Sequence, residues 1–214
     1  DRLELSQIIG LGTLVFAQQP NKSIAKATKV SAICDFLQSS DLAGLDWSKE
    51  LLQWLSRIRL LYKSAPADNN PWPDLSQQWL VDQVNTWLGP YLLDINSGKD
   101  LKRLDLLSII QNMLDYPLQQ KMLNLAPSRL RVPSGNSYQI DYTSEPPVLA
   151  VKLQELFGLE EVPKVAHGVS VQIHLLSPAG RPLQITQDLA HFWRHSYKEA
   201  KKEMQGRYPK HPWP

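Results

Sequence analysis

The chain has 214 residues, 43% of them hydrophobic, and its 23 lysines and arginines against 21 acidic residues give a net charge of +2. This composition predicts a packed core in one large or two modest domains, and it excludes nucleic-acid binding through overall charge. The single cysteine, Cys34, excludes an internal disulfide and any metal site built from several thiolates, and it suits a reducing, cytoplasmic setting. No apolar run is long enough to span a bilayer, so we expect a soluble protein with no membrane partner.

The first residues predict strands. Two β-like runs, Leu3–Ile9 and Thr13–Ala17, flank Gly10-Leu-Gly12, and glycine there favours a hairpin turn. A nucleotide-binding loop would need a third glycine and a helix directly after it. Because a lone hairpin is marginal in water, we expect these strands to complete a sheet, either with later strands of this chain or with residues upstream of it. The chain also opens at Asp1 without a methionine, as an excised or processed piece does.

Residues 21–126 have the apolar period of helices. Three- and four-residue steps such as Leu51, Trp54, Leu55 and Ile58 predict a bundle of about five helices. Further on, Asp74 with Gln77 three residues later predicts a helix N-cap, and Pro117 can begin the last helix.

Two roles are considered for the tryptophans of this region, stacking on nucleic-acid bases and packing in the core. Most of them lie on apolar helical faces, which favours core packing. We therefore expect Trp54, Trp79 and Trp87 in the core, whereas Trp72, between two prolines, can be exposed.

Residues 127–214 combine segments with the two-residue apolar period of strands and segments with the apolar period of helices. Tyr138, Ile140 and Tyr142 alternate with polar residues as a half-buried strand does, and Val169–Leu175 repeats the pattern. Residues 148–157 are interpreted as a helix that ends at Gly158. A capping box at Ser196–Glu199 predicts the start of a last helix that runs to Gly206. The fold class is therefore α+β: a short hairpin, a helical bundle and a small C-terminal α+β unit. We expect Phe157 and Phe192 to be buried.

Four long motifs in the last third carry a family resemblance. They are Arg131–Tyr142, Pro146–Gly158, Leu175–Pro182 and Gly206–Trp213. In this order they resemble the C-terminal signature of HrpB-type helicases, and Pro71–Ser76 resembles the segment before it. The clear match begins near Leu125, while residues 1–19 match loosely. The resemblance implies that residues 1–20 are the end of the β-rich domain that precedes this helical region in the family.

The resemblance implies a parent protein of the DEAH/RHA class. Such a protein has two RecA-like domains that hydrolyse ATP with magnesium, followed by winged-helix, ratchet-like and β-barrel elements and then this extension. The chain itself contains neither a Gly-x-x-x-x-Gly-Lys-Ser/Thr phosphate loop nor an Asp-Glu-x-His box. The family's ATPase residues therefore have no counterparts here, and we expect no catalytic residues and no cofactor in this chain.

The resemblance favours a non-catalytic accessory role in an ATP-dependent RNA helicase. The expected partners are the motor domains of the same polypeptide, with RNA or another single-stranded nucleic acid, which the chain would help to position. The alternative is a protein-interaction module that recruits a partner to the helicase.

Positive charge is clustered only near the end of the chain. The candidate phosphate-binding residues there are Arg194, Lys198, Lys201, Lys202, Arg207 and Lys210. Arg181, in the turn Pro178–Pro182, is a further candidate because a rigid turn preorganises its guanidinium. The alternative for the whole cluster is a solvated helix whose lysines complement the helix dipole.

Other reactive residue types predict no site. His191 and His195 have the spacing of helical metal ligands, but a helix start at Ser196 would break their phase, so no metal site is expected. Asp141, Glu145 and Glu155 are interpreted as surface or turn residues. The final motif favours an anchored end, with Trp213 docked onto this domain or another domain of the parent protein.

Overall fold

The computed structural model describes residues 6–11, 14–20, 26–211 and 213–214, and for residues 6–11 and 14–20 the backbone alone. The described chain forms two compact units. The first combines the described part of Asp1–Leu51 with Asp74–Asp115, and the second combines Leu52–Pro73 with Tyr116–Pro214. Helices and strands occur together, which confirms the α+β class. None of the helices in these ranges is both long and apolar enough to cross a membrane.

The first unit begins with a hairpin. Strands β1 (Ser6–Leu11) and β2 (Leu14–Pro20) pair in antiparallel fashion, as the two apolar runs predict. Residues 3–5, 12 and 13 of that prediction lie outside the described residues. The assignment of this hairpin to an upstream β-rich domain stays a prediction.

The rest of the first unit is helical. Its helices are α1 (Lys26–Ser39), the start of α2 (Lys49–Ser64), α3 (Gln77–Asp82), α4 (Val84–Trp87), α5 (Gly98–Lys102) and α6 (Leu106–Gln111). A short 3-10 turn, Gly89–Tyr91, follows α4. Their inward side chains are large and apolar, Cys34 and Leu80 among them.

The N-cap of α3 differs from the predicted one, and a second side-chain contact lies at the junction of α3 and α4. The N-cap is Ser76, whose Oγ accepts from the Trp79 N–H at 3.2 Å, while Asp74 accepts from the Ser76 N–H at 2.8 Å. The indole N–H of Trp87 donates to the Leu80 carbonyl at 2.8 Å. The indole contact lies at the junction where α3 ends at Asp82 and α4 begins at Val84, with Gln83 between them outside helical backbone angles.

The second unit takes two helices from the predicted bundle. It contains most of α2, the 3-10 turn Ala67–Asn69 and α7 (Tyr116–Leu125), which includes Pro117 in its first turn. Their buried side chains include Ile58 and Met122. The domain boundary predicted at residue 126 therefore does not coincide with the division into compact units.

The strands of the second unit form three small sheets. Strands β3 (Arg129–Arg131) and β4 (Ser137–Gln139) pair, as do β6 (Lys164–Val165) and β7 (Val169–Ser170). The largest sheet has the order β5-β8-β9 and consists of β5 (Val148–Lys152), β8 (Gln172–Leu176) and β9 (Pro182–Thr186). Its first pair is parallel and its second antiparallel.

Strand β5 corrects the helix predicted over residues 148–157. Leu149 and Val151 are buried whereas Ala150 and Lys152 are exposed, which is the two-residue period of a strand. Only Leu153–Leu156 is helical, as one 3-10 turn. Pairing with β8 thus prevails over the local helix propensity.

The last helix begins earlier than its predicted capping box. It runs over residues 189–207 as α8 (Leu189–His191), a π-helical turn (Phe192–Ser196) and α9 (Tyr197–Arg207). We refer to residues 189–207 as the C-terminal helix. Its N-cap is Asp188, whose Oδ1 accepts from the His191 N–H at 2.8 Å. Ser196 has helical backbone angles and no side-chain capping bond, so the predicted capping box is wrong.

The aromatic predictions are confirmed in part. Trp54, Trp87 and Phe192 are buried, whereas Phe157 and Trp79 are half-buried. Trp72 is buried although it lies between two prolines, and Lys121 Nζ lies 6.0 Å from its ring centroid.

Candidate nucleic-acid interface

The C-terminal helix has four faces of different chemistry. Residues four apart lie on the same side of a helix, so every fourth residue forms a stripe along it. The core stripe consists of Phe192, Ser196, Ala200 and Met204. Phe192 and Met204 are only 1% and 2% exposed, which fixes this face toward the second unit.

The cationic stripe consists of Arg194, Lys198 and Lys202, about 200° around the helix from the core stripe. All three side chains are exposed. Arg194 Nε donates to the Ala190 carbonyl at 3.1 Å, which leaves the rest of the guanidinium pointing outward. Within the described part of the chain, none of the three forms an ion pair. The structure thus brings three of the predicted residues together as uncompensated charge.

Arg207 lies on a different face. It belongs to the acidic stripe with His195, Glu199 and Glu203, all of them exposed. Its Nη2 lies 3.1 Å from Glu203 Oε1, one turn earlier in the helix. Arg207 is therefore partly neutralised and faces away from the cationic stripe.

Lys201 and Tyr197 hold the end of the chain. Lys201 Nζ and the Tyr197 hydroxyl each donate to the Pro214 oxygen at 2.8 Å. Partial burial raises the pKa of Tyr197, so its hydroxyl remains a donor at neutral pH. Trp213 is buried, and its indole N–H donates to the Tyr208 carbonyl at 3.1 Å, which confirms the predicted anchored end. Lys201 thus has an internal partner that Lys198 and Lys202 lack.

The remaining two candidates lie on other elements. Arg181 is in the turn between β8 and β9, where its backbone N–H donates to Ser177 Oγ at 3.0 Å and its carbonyl accepts from the Ser177 N–H at 2.8 Å. Its side chain is exposed. Lys210 is exposed after the end of α9. The geometry does not place either residue on the cationic stripe.

The two histidines share one continuous helix, which corrects the predicted break in phase. The rings of His191 and His195 stack with centroids 4.3 Å apart, and His195 Nδ1 lies 3.2 Å from the His191 carbonyl oxygen. Among the described residues, no group of three or more histidine, cysteine or carboxylate side chains could hold a metal ion.

The three carboxylates considered for acid–base work have structural partners. Asp141 accepts from Gln53 Nε2 at 2.6 Å, and Glu145 forms an ion pair with Lys63. Hydrogen bonds from the Ser134 hydroxyl and then from the Asn136 amide lower the pKa of Glu155. Each carboxylate therefore has a structural partner within the second unit.

An aromatic stripe next to the cationic one was not predicted. Trp193, Tyr197 and Lys201 follow each other at four-residue steps, and all three are half-buried. The centroids of Trp193 and Tyr197 are 5.2 Å apart. The four-residue spacing is visible in the sequence, but the predicted helix start at Ser196 hid it because it excluded Trp193 and Arg194 from the helix.

Comparisons with known proteins agree with the motifs. A family model described as the C-terminal region of ATP-dependent helicases, of the HrpB type, matches residues 87–214. The Escherichia coli (strain K12) protein named ATP-dependent RNA helicase HrpB is 37% identical over 206 residues, which are 95% of this chain and 25% of that protein. The chain belongs to the HrpB-type helicase family.

Two crystal structures of E. coli HrpB have the same fold as this chain. One, described as a DExH-box NTPase, has a TM-score of 0.84 and 36% identity over 98% of this chain. The other, described as a DEAH/RHA helicase, has a TM-score of 0.74 and 34% identity over 97% of this chain. Each match covers 26% of the solved chain, so this chain spans about a quarter of the length of these relatives.

Proposed function

We propose that this chain is a non-catalytic accessory region of a cytoplasmic ATP-dependent RNA helicase, which helps to position nucleic acid or braces the motor domains. The exposed cationic stripe of Arg194, Lys198 and Lys202 carries the proposal. ATP and magnesium would bind the motor domains of the same polypeptide, because this chain has no phosphate loop. Phosphate release by the pure chain above background would contradict the non-catalytic part.

The stripe suits a phosphate backbone. Its three cations recur about every 6 Å along the helix, since four residues rise by that distance. They point away from the core, so a ligand can reach them without any change in the fold. Cations without an ion-pair partner gain the most from phosphates, because binding then breaks no internal ion pair and releases counterions.

The test replaces Arg194, Lys198 and Lys202 together by glutamine, which keeps side-chain length and helix propensity. Binding of a single-stranded RNA is measured at several salt concentrations. We expect weaker binding to all sequences and a salt dependence flatter by ~0.7 logarithmic units for each lost contact.

A matched control replaces Lys49, Lys99 and Lys102 in the first unit by glutamine. These three exposed lysines change the net charge by the same amount. The control should bind as the unchanged chain does. Equal losses in both variants would show an effect of overall charge and would contradict a local interface.

The alternative function, a protein-interaction module, is favoured by a face of α7. Tyr116 and Leu123 are 71% and 48% exposed and lie seven residues apart, hence on the same side of the helix. If the stripe variant binds RNA with unchanged affinity and salt dependence, this alternative takes precedence.

A further inference from the structure

Three aromatic rings form a cluster beside the cationic stripe. The Phe157 centroid lies 5.8 Å from that of Trp193 and 5.9 Å from that of Tyr197, and the latter two are 5.2 Å apart. Phe157 comes from the segment after the 3-10 turn Leu153–Leu156, so the cluster joins two parts of the second unit. We refer to Phe157, Trp193 and Tyr197 as the aromatic cluster.

The aromatic cluster is held in place but not covered. The Trp193 indole N–H donates to the Leu159 carbonyl at 2.7 Å, and the Tyr197 hydroxyl donates to the Pro214 oxygen at 2.8 Å. These bonds satisfy the polar ends of both rings within the protein. All three side chains are nevertheless half-buried, in contrast to the fully buried neighbour Phe192. Ring surface that is fixed and still in contact with water is preorganised for a flat ligand.

The position of the cluster relative to charge indicates which flat ligand fits. Trp193 and Tyr197 directly precede Arg194 and Lys198 in the sequence, so each ring is one helical step, about 100°, from an exposed cation. Nucleobases attached to a phosphate backbone present the complementary pair of groups, a flat ring next to a negative charge. Aromatic side chains beside a positively charged track are the usual means of binding single strands.

We propose that the aromatic cluster is a stacking platform for unpaired bases, and that the ligand of this helix is single-stranded nucleic acid whose backbone follows the cationic stripe. This inference rests on the proposed function and adds its ligand class. A duplex has its base faces stacked inside, so it offers phosphates, sugars and base edges but no base face to the platform. The platform therefore discriminates single strands from duplexes, which the cations alone cannot do.

The experiment compares three ligands of about twelve nucleotides, which is within the range of known single-strand site sizes. They are a single-stranded RNA, a strand with the same backbone but abasic positions, and a duplex. Affinities for the 214-residue chain are measured at one salt concentration by fluorescence anisotropy. The base-containing single strand should bind roughly 5- to 150-fold more tightly than the abasic strand, which is the range for stacking of one base.

Two variants separate the rings from their other roles. Replacing Phe157 and Tyr197 by leucine keeps apolar volume but removes two of the three aromatic faces, and it should reduce the preference for bases several-fold while leaving the affinity for the abasic strand unchanged. The Tyr197→Phe variant loses only the bond to the Pro214 oxygen and should keep the preference. A parallel loss in Tyr197→Phe would assign the effect to anchoring of the chain end.

The affinities of the unchanged chain for the three ligands already distinguish the stacking platform from the cationic interface. Equal affinity for the base-containing strand, the abasic strand and the duplex overturns the stacking platform and leaves the cationic interface intact. Binding of none of the three overturns the proposed nucleic-acid role itself. Thermal unfolding followed by circular dichroism shows whether the leucine variant is folded, and the ligand series on the unchanged chain decides the question if it is not.

Discussion

At the residue scale, helix α2 fastens the segment around Tyr142 through a few side chains. Gln53 accepts from the Tyr142 N–H at 3.0 Å and donates to Asp141, while Arg57 Nε donates to the Ala126 carbonyl at 2.6 Å. Burial lowers the pKa of Arg57 and raises that of the adjacent Tyr142. Because a buried charge costs desolvation, the guanidinium contributes more to fixing this geometry than to net stability. The neutral amide of Gln53 has a smaller desolvation cost than a charged group.

We therefore expect Gln53→Ala to lower the free energy of unfolding by about 1–3 kcal/mol, because it leaves the partly buried Tyr142 N–H without its acceptor. Chemical denaturation of the unchanged chain and the variant measures this. Lys63→Ala is the control on the same helix: its ion pair with Glu145 is 69% and 75% exposed and contributes less than about 1 kcal/mol. Equal effects of the two substitutions would contradict a specific role for Gln53.

At the element scale, the C-terminal helix shows where sequence patterns succeed and fail. A helix was predicted from Ser196 to Gly206, and these residues are helical. Ser196 and Glu199 match a capping box, but the chain is already helical there because Asp188 caps the helix eight residues earlier. A capping pattern cannot reveal a competing start upstream, nor a π-helical turn. For the same reason Trp193 and Arg194 were not assigned to the faces that they share with Tyr197 and Lys198.

The two competing helix starts predict different effects of alanine. Asp188→Ala removes the bond to the His191 N–H and should destabilise the second unit by about 1 kcal/mol, the usual cost of losing an N-cap. Ser196→Ala removes no capping bond, and alanine has the higher helix propensity, so stability should be unchanged or slightly raised. Thermal melting of both variants measures the difference. The reverse order of stabilities would support the start at Ser196.

At the scale of the whole molecule, each compact unit is assembled from segments that are separated in the sequence. The change of period near residue 126 is real, since the described residues 26–125 contain helices and no strand, whereas β3 to β9 all follow it. The apolar period of a segment indicates its secondary structure, however, and not which distant segment it packs against. Residues 52–64 and 116–125 are helical like most of the first unit but belong to the second. Only long-range contacts such as Arg57 with the Ala126 carbonyl show this.

This discontinuity predicts that residues 127–214 do not fold alone. The fragment lacks the part of α2 with buried Trp54, Leu55, Ile58 and Leu61, whose burial contributes on the order of 10 kcal/mol, comparable to the whole stability of a domain. We expect it to show no cooperative thermal unfolding by circular dichroism, whereas the 214-residue chain does. Adding a peptide of residues 49–73 to a fragment of residues 116–214 should restore a cooperative transition, and a Gln53→Ala peptide should do so only at higher concentration. A cooperative transition of the isolated fragment 127–214 at the temperature seen in the full chain would show that α2 is dispensable for this unit.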